Sequence, residues 1–358
     1  MTDRDIKIYD SNKHRMKTVK SYCTPDKTYI CSFSGGKDSV ATYLYLTKVM
    51  GFENVFGLFS DTGWEHESTY KYIDDLIAKG WKICKVQGST AQLNTKNRKF
   101  GHKPLTMVEL AKIKKRFPST MARFCTTELK LKPILAAFQK MLNGKTDLPF
   151  FNFGVELPNL KNKEVVMVTG VRAEESEKRA KMEPFIYDEF FQIYKWMPIH
   201  SWTASEVFEI HHKFGVKVNP LYKRGSLRVG CYPCIMTNKD ELNAIARHHP
   251  ETFDKVRDAE IAVGEVKKTD ESTFWAADTT AQKYRSHKTT SKDGSVHYVP
   301  NAYDVRDWAL GRQPLHEDQL LLFADFDETF NVDSPVCESA YGLCEVAMAE
   351  GVSFNEPG

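Results

Sequence analysis

The most constraining stretch of the chain is its first apolar unit. Tyr29–Phe33 (YICSF) runs straight into Ser34-Gly35-Gly36-Lys37-Asp38-Ser39, and Ser39–Met50 follows as a segment apolar on nearly every side. A buried strand, a tight turn and a covered helix in that order belong to a sheet with helices packed on its face. The turn also carries chemistry. Two glycines let backbone N–H groups turn inward as an anion nest, and the helix N-terminus adds positive potential. Ser34 and Ser39 offer hydroxyls, Lys37 a cation, and Asp38 a carboxylate suited to Mg²⁺. The spacing is not that of a Walker A loop, G-x-x-x-x-G-K-[ST]. The plainer alternative is a Gly-Gly turn before a surface helix.

The pattern then repeats. Asn54–Ser60 (NVFGLFS), Trp81–Val86 (WKICKV) and Glu164–Thr169 (EVVMVT) read as further buried strands. Between the first two, Glu65–Lys79 places Tyr72, Ile73, Leu76 and Ile77 on one helical face. Strand–helix–strand alternation predicts an α/β fold, a doubly wound and mostly parallel sheet, with a smaller, mainly helical C-terminal part. Ligands of such sheets sit at the carboxyl ends of the strands, which singles out loops 34–39, 61–66 and 170–180. Residues 141–163, rich in Asn, Gly and Pro, read as an excursion between sheet elements. Thr203–Lys213 reads as a short helix, with Thr203 and Glu206 at capping-box spacing. Residues 238–266 read as helical and 267–300 as irregular. The expected division is an N-terminal extension (1–26), a nucleotide-binding domain (27–236), a helical and irregular region (237–312) and an acidic tail (313–358).

Charge is distributed unevenly. The 358 residues carry 50 Lys and Arg against 47 Asp and Glu, a net +3, yet no Lys or Arg follows Arg312. Residues 1–312 therefore hold 50 basic and 37 acidic residues, and residues 313–358 hold ten acids. Eleven of the basic residues fall between Lys96 and Lys132, opposed by Glu109 and Glu128 alone, with Phe100 and Phe117 interleaved. Such a stretch is either a solvated face or a docking surface for nucleic acid. The tail is expected to fold back over it. No apolar run reaches the ~18 residues of a membrane span, and the N-terminus is too polar for a secretory signal. Eight cysteines in such a chain point to metal ligands or reactive thiols in a reducing, cytoplasmic compartment. His102, His248 and His249 show no ligand spacing and read as surface or packing residues.

Three further loops carry candidate ligands. Asp61, after the second strand, suits a ribose or a cation, or else caps the helix that follows. Arg172 and Arg179, in Thr169-Gly170-Val171-Arg172-Ala173-Glu174-Glu175-Ser176 and just beyond it, suit bidentate binding of phosphate or sulfate. Glu174, Glu175 and Glu177 offer the same arginines an alternative as solvated ion pairs.

Taken with Asp61-Thr62-Gly63-Trp64-Glu65, Pro198–Val207 and Gly230-Cys231-Tyr232-Pro233-Cys234, these motifs resemble a known family. It is the adenine-nucleotide hydrolases with an SGGxDS pyrophosphate (PP) loop, and within them the phosphoadenylylsulfate (PAPS) reductase-like branch. The chain is also similar to DNA phosphorothioation sulfurtransferases. The resemblance covers residues 27–236. It implies a HUP-like fold, ATP with Mg²⁺, and an adenine-nucleotide site on Ser34, Gly35, Gly36, Lys37, Asp38, Ser39, Asp61, Gly170, Arg172 and Arg179. Lys37, Asp38 and Arg172 are the expected catalytic residues.

Cys231-x-x-Cys234 has metal-ligand spacing, and Arg123–Pro133 resembles the family pattern C-C-x-x-x-K-x-x-P, with Cys125 first and Thr126 in place of the second cysteine. The resemblance implies a [4Fe–4S] cluster on Cys125, Cys231 and Cys234. Cys344 or Cys337 is the expected fourth ligand; the alternatives are an open iron, as in related tRNA thiolation enzymes, or structural Zn²⁺. Cys23, Cys31 and Cys84 read as small buried hydrophobes. The implied function is ATP-dependent adenylylation of a nucleic acid or nucleotide so that sulfur replaces oxygen, with a cysteine desulfurase or another sulfur donor as partner. One alternative is a sulfonucleotide reductase producing sulfite. Against it, the expected terminal Glu-Cys-Gly-Leu-His segment is replaced by Tyr341-Gly342-Leu343-Cys344-Glu345. The other alternative is a non-catalytic, zinc-stapled nucleic-acid-binding protein.

Overall fold

The computed structural model describes residues 7–10, 15–144, 152–155, 158–189, 191–268, 272–276, 279–290 and 294–312. Cys337, Cys344 and the acidic tail lie outside the described residues.

Seven strands form the main sheet: β1 (Thr28–Phe33), β2 (Val55–Asp61), β3 (Ile83–Gln87), β4 (Asn152–Gly154), β5 (Val165–Val168), β6 (Phe185–Asp188) and β7 (Ile193–Trp196). Their order is β4-β3-β2-β1-β5-β7-β6. The five inner strands are parallel, and β4 and β6 pair antiparallel at the two edges. The chain winds outward from β1 through β2 and β3, then returns to the other side of β1 for β5 and β7. The switch point is thus between β1 and β5, where the crevice of a doubly wound sheet opens.

Strand alternation sorts the core into two layers. Tyr29, Cys31 and Phe33 face the layer of α1 (Lys37–Leu44), α2 (Glu67–Ala78) and α5 (Ala204–Lys213), with Val40, Leu44, Ile73, Val207 and Ile210 packed on them. Ile30, Leu58 and Val86 face α4 (Lys132–Leu142) through Ile134, Phe138 and Met141. Cys23, Cys31 and Cys84 are buried, as expected of small apolar fillers. The segment after β1 is α-helical only to Leu44 and continues as a π-helical turn over Tyr45–Val49. Thr203 caps α5, and its side chain and that of Glu206 close a reciprocal capping box.

A third cluster joins α3 (Met107–Lys114) to α6 (Lys239–His248), α7 (Glu251–Lys267) and α8 (Ala302–Leu310) around Trp64, Phe274 and Trp275. Two expectations change here. The 238–266 helix is two helices, broken at His249-Pro250, because proline cannot donate the next helical hydrogen bond. The stretch read as irregular contains an antiparallel hairpin, His287–Thr290 with Val296–Val299. No described helix is long and apolar enough to cross a membrane.

Candidate active site

The glycine loop lies at the carboxyl end of β1, on the switch point. Gly35 has φ +73°, and a Cβ there would sit 3.2 Å from Ile73 of α2. The loop is tied internally: the Gly36 amide donates to Ser34 Oγ at 3.2 Å, and Ser39 Oγ donates to the Gly36 carbonyl at 2.9 Å. It is also tied to the far half of the chain. The Lys37 amide donates to Tyr222 Oη at 3.0 Å. His211, buried on α5, faces the Lys37 carbonyl with Nε2 at 2.9 Å and the Val216 carbonyl with Nδ1 at 3.1 Å.

Lys37 is 4% exposed and Arg172 is 5% exposed, and Asp38 stands between them. Arg172 Nε donates to Asp38 Oδ1 at 2.6 Å, while Lys37 Nζ lies 3.9 Å from Asp38 Oδ2. In this structure the carboxylate expected to hold Mg²⁺ therefore orients two cations. Arg172 also pairs with Glu174, and Arg179 with Glu175; only the Arg179 pair is solvated, as Arg172 is buried. The approach of the two loops depends on Gly170: a Cβ there would be 2.7 Å from the Asp38 carbonyl oxygen and 2.8 Å from Thr42 Oγ1. Asp61 does not cap α2. Its Oδ1 accepts from the Gly63 amide at 2.8 Å and from Tyr70 Oη at 2.7 Å, and the cap is His66.

Facing this crevice is a wall that carries the three cysteines. Cys231 pairs with Glu65 in an isolated β-bridge, and the Tyr232 amide donates to the Trp64 carbonyl at 2.7 Å. Trp64 Nε1 donates to the Pro233 carbonyl at 3.0 Å, which fixes the Cys231–Cys234 turn against the β2 loop. Cys125 opens the π-helical turn Thr126–Leu131. The ammonium of Lys130 is the common neighbour: it interacts with the sulfurs of Cys125, Cys231 and Cys234 and donates to Cys231. Burial works against that charge, but Cys231, Glu65 and Cys234 outweigh it and raise the pKa of Lys130. Burial also pushes the Cys231 thiol up to about 11 and raises that of Cys125. Glu65, 4% exposed, accepts from the Thr62 amide at 3.1 Å, Thr62 Oγ1 at 2.6 Å and Tyr70 Oη at 3.0 Å. Three thiols in the field of one half-buried cation have the chemistry of a thiolate-held cluster's donor set, whose negative charge the cation would offset.

The crevice opens into a cavity of about 790 Å³ that reaches the segments flanking the cysteines, while none of the three sulfurs lines it. Lys37, Asp38, Arg172 and Arg179 line one part of it; Arg123, two residues before Cys125, and Met236, two residues after Cys234, line another. Residues 28–237, more than half of the chain, match the phosphoadenosine phosphosulfate reductase domain. The chain belongs to that family.

Relatives of this family member differ in how much of it they share. A protein of Escherichia phage 186, described as an uncharacterized 37.8 kDa protein, is 30% identical over 91% of this chain and all of its own length. An adenosine 5′-phosphosulfate reductase of Burkholderia cepacia is 42% identical, over 19% of this chain and 27% of that protein. Among solved structures, the Candida auris phosphoadenylyl-sulfate reductase in a phosphate complex aligns with TM-score 0.37 at 15% identity, covering 60% of this chain and 92% of its own. The U34-tRNA thiolase NcsA of Methanococcus maripaludis with its [4Fe–4S] cluster aligns with TM-score 0.32 at 12% identity, covering 68% and 73%.

Two features of this reductase-family domain were not visible in its motifs. A second cavity, of about 290 Å³, lies on the α4 side of the sheet, lined by Ile30, Ser32, Leu58, Leu131, Met167 and Thr169 among others. Ser32 is exposed although it sits in the central strand, and Thr169 Oγ1 is buried without a hydrogen-bond partner among the described residues. An apolar slot with such an unmet polar atom has the character of a small-molecule site. The second is how far the basic stretch is exposed. Eight of its eleven cations are exposed: Lys96, Arg98, Lys99, Lys103, Lys114, Lys115, Arg116 and Arg123. Phe117 serves the core, while Phe100 and Phe124 meet cations, with the Arg98 guanidinium 4.6 Å from the first ring and that of Arg116 5.6 Å from the second.

Proposed function

We propose that this family member uses ATP to adenylylate an acceptor oxygen, releases pyrophosphate, and lets sulfur displace the resulting AMP ester. The observation that carries this reading is that cavity, with the glycine loop at one part and the flanks of the cysteines at another. The slot over Ser32 would take the adenine, with Thr169 Oγ1 as a hydrogen-bond partner. The loop amides, Lys37 and Arg172 would hold the phosphates, and Lys37 would offset the charge that builds on the leaving pyrophosphate. Asp38 would hold Lys37 and Arg172 in place until Mg²⁺–ATP arrives, then exchange those contacts for the metal.

Cys125, Cys231 and Cys234 would hold an iron–sulfur cluster, which when bound supplies a site for sulfur. A nucleic acid or nucleotide is the acceptor this reading favours, because eight exposed cations precede or flank Cys125 on one segment. The test is pyrophosphate and AMP release under anaerobic conditions, with Mg²⁺–ATP and single- or double-stranded DNA or RNA. Acceptor-dependent release supports the proposal; none with any nucleic acid overturns it. A sulfonucleotide reductase is the second reading, favoured by the 42% identity to an adenosine 5′-phosphosulfate reductase over a 67-residue segment. Sulfite release with thioredoxin, lost in both Cys337→Ser and Cys344→Ser, would establish it instead.

A further inference from the structure

Where α2 begins, the loop between α6 and α7 meets it edge to edge. His66 Nε2 lies 3.2 Å from His249 Nδ1, and His249 Nδ1 lies 3.2 Å from Glu251 Oε1. These three atoms lie within 4.8 Å of one another. The sequence spacing of His249 gave no sign of this, because its partner is 183 residues away. His249 is buried rather than at the surface, and the Tyr232 ring packs edge-on against both imidazoles.

The separations are informative. Ligands 2.0–2.1 Å from a tetrahedral zinc stand about 3.3 Å from each other. The two separations from His249 Nδ1, each 3.2 Å, therefore match two edges of such a site, and the third pair, His66 with Glu251, lies within 4.8 Å. A simple hydrogen-bond network accounts for the same atoms less well. The Ser68 amide donates to His66 Nδ1 at 3.0 Å, which leaves the proton of the neutral ring on Nε2. Arg224 faces His249 Nε2 at 3.3 Å, which leaves the second ring's proton on Nδ1. Two N–H groups then point at one another across 3.2 Å, and of the two only His249 Nδ1 has Glu251 as an acceptor.

We infer that His66, His249 and Glu251 form a binding site for a divalent ion of the zinc class, with a fourth position open to water. Two imidazoles and one carboxylate favour zinc over magnesium or calcium, which prefer all-oxygen shells. On binding, the ring protons move to the outer nitrogens, so the His66 ring gives up its hydrogen bond from the Ser68 amide and the exposed Arg224 side chain turns aside. Arg224 therefore competes with the ion, and Lys255 nearby adds to the opposing charge. The occupied site would tie the start of α2 to the α6–α7 junction and stiffen the Tyr232 turn between Cys231 and Cys234.

Cobalt(II) is the probe, because its visible spectrum separates nitrogen–oxygen sites from thiolate sites. The full chain is expected to bind a cobalt whose bands show no sulfur-to-metal charge transfer, in addition to any cobalt on the cysteines, and zinc should displace it. Glu251→Gln, an exposed position, should weaken that binding roughly 10-fold or more, and His249→Ala should abolish it with the circular dichroism spectrum retained. Arg224→Ala should tighten it several-fold, which a purely structural network would not do. Cobalt spectra of thiolate type only, or affinity unchanged in both Glu251→Gln and Arg224→Ala, would overturn the site.

Discussion

At the crevice, Lys37, Asp38, Gly170, Arg172, Glu174 and Arg179 sit on two loops that leave neighbouring strands, and most of their contacts are charge on charge. At the cysteine wall, Cys125 and the Cys231–Cys234 turn come from two distant segments, and packing brings them together: Trp64 against Phe274, Tyr232 against His66, and α3 against α7. The first region is assembled by the sheet, with Tyr222 and His211 bracing its loop. The second exists only if the C-terminal helices dock. Substitutions in the crevice should therefore change chemistry at nearly constant stability, and substitutions behind the wall should do the reverse.

The largest expected effect tests the wall. Trp64 is 1% exposed, stacks on Phe274 at 5.6 Å and carries the Pro233 hydrogen bond. Trp64→Ala should cost about 3–5 kcal/mol of stability, read by denaturant unfolding. A stable Trp64→Ala chain would break the comparison. Next, Lys37→Ala should lower pyrophosphate release roughly 10²–10³-fold with the melting temperature within about 2 °C of the parent. A large fall in melting temperature would mean that the crevice, too, is structural. Asp38→Asn keeps the shape but weakens the hold on Arg172, and about a tenfold loss of activity is expected, chiefly as a higher KM for Mg²⁺–ATP.

The smallest effect is one of pH. Burial pushes the Glu260 carboxyl up to about 7 from 4.5, against the pull of the Phe274 and Ala302 amides. A carboxyl whose pKa is raised by folding stabilises in its protonated form. Its contribution is full below pH 4.5 and is lost as pH rises through about 7. The melting temperature should fall by about 2–4 °C between pH 6 and 8, and Glu260→Gln should flatten that slope.

This contrast also explains what could be read in the chain. The four inner strands that the apolar runs marked, the α5 capping box and the Gly35 turn are local patterns, and the structure places each within a residue or two of where the residues alone put it. The edge strands β4 and β6 are short and half-polar, so they carry no comparable signal. Lys37, Asp38 and Arg172 were legible because strand ends deliver them to one crevice. The neighbours of the cysteines were not. Lys130 was counted as one more cation in a basic run, and Glu65 as the end of a loop motif. Their meeting with Cys231 depends on contacts across more than a hundred residues, which no periodicity encodes. Ser32 was hidden for the opposite reason, since it looked like any strand residue.

Gly170 has one further consequence. The two halves of the sheet wind away from β1 in opposite directions, and beyond their loops they touch where this glycine meets the first turn of α1. Backbone against backbone is the shortest spacing two chain segments can hold, and side-chain exchange elsewhere cannot alter it. The gap between Lys37 and Arg172 is thus gauged by the missing methyl group of a third residue. Gly170→Ala would act as a shim about one carbon thick: both ligands would remain, folded and charged, set too far apart to grip the same phosphate.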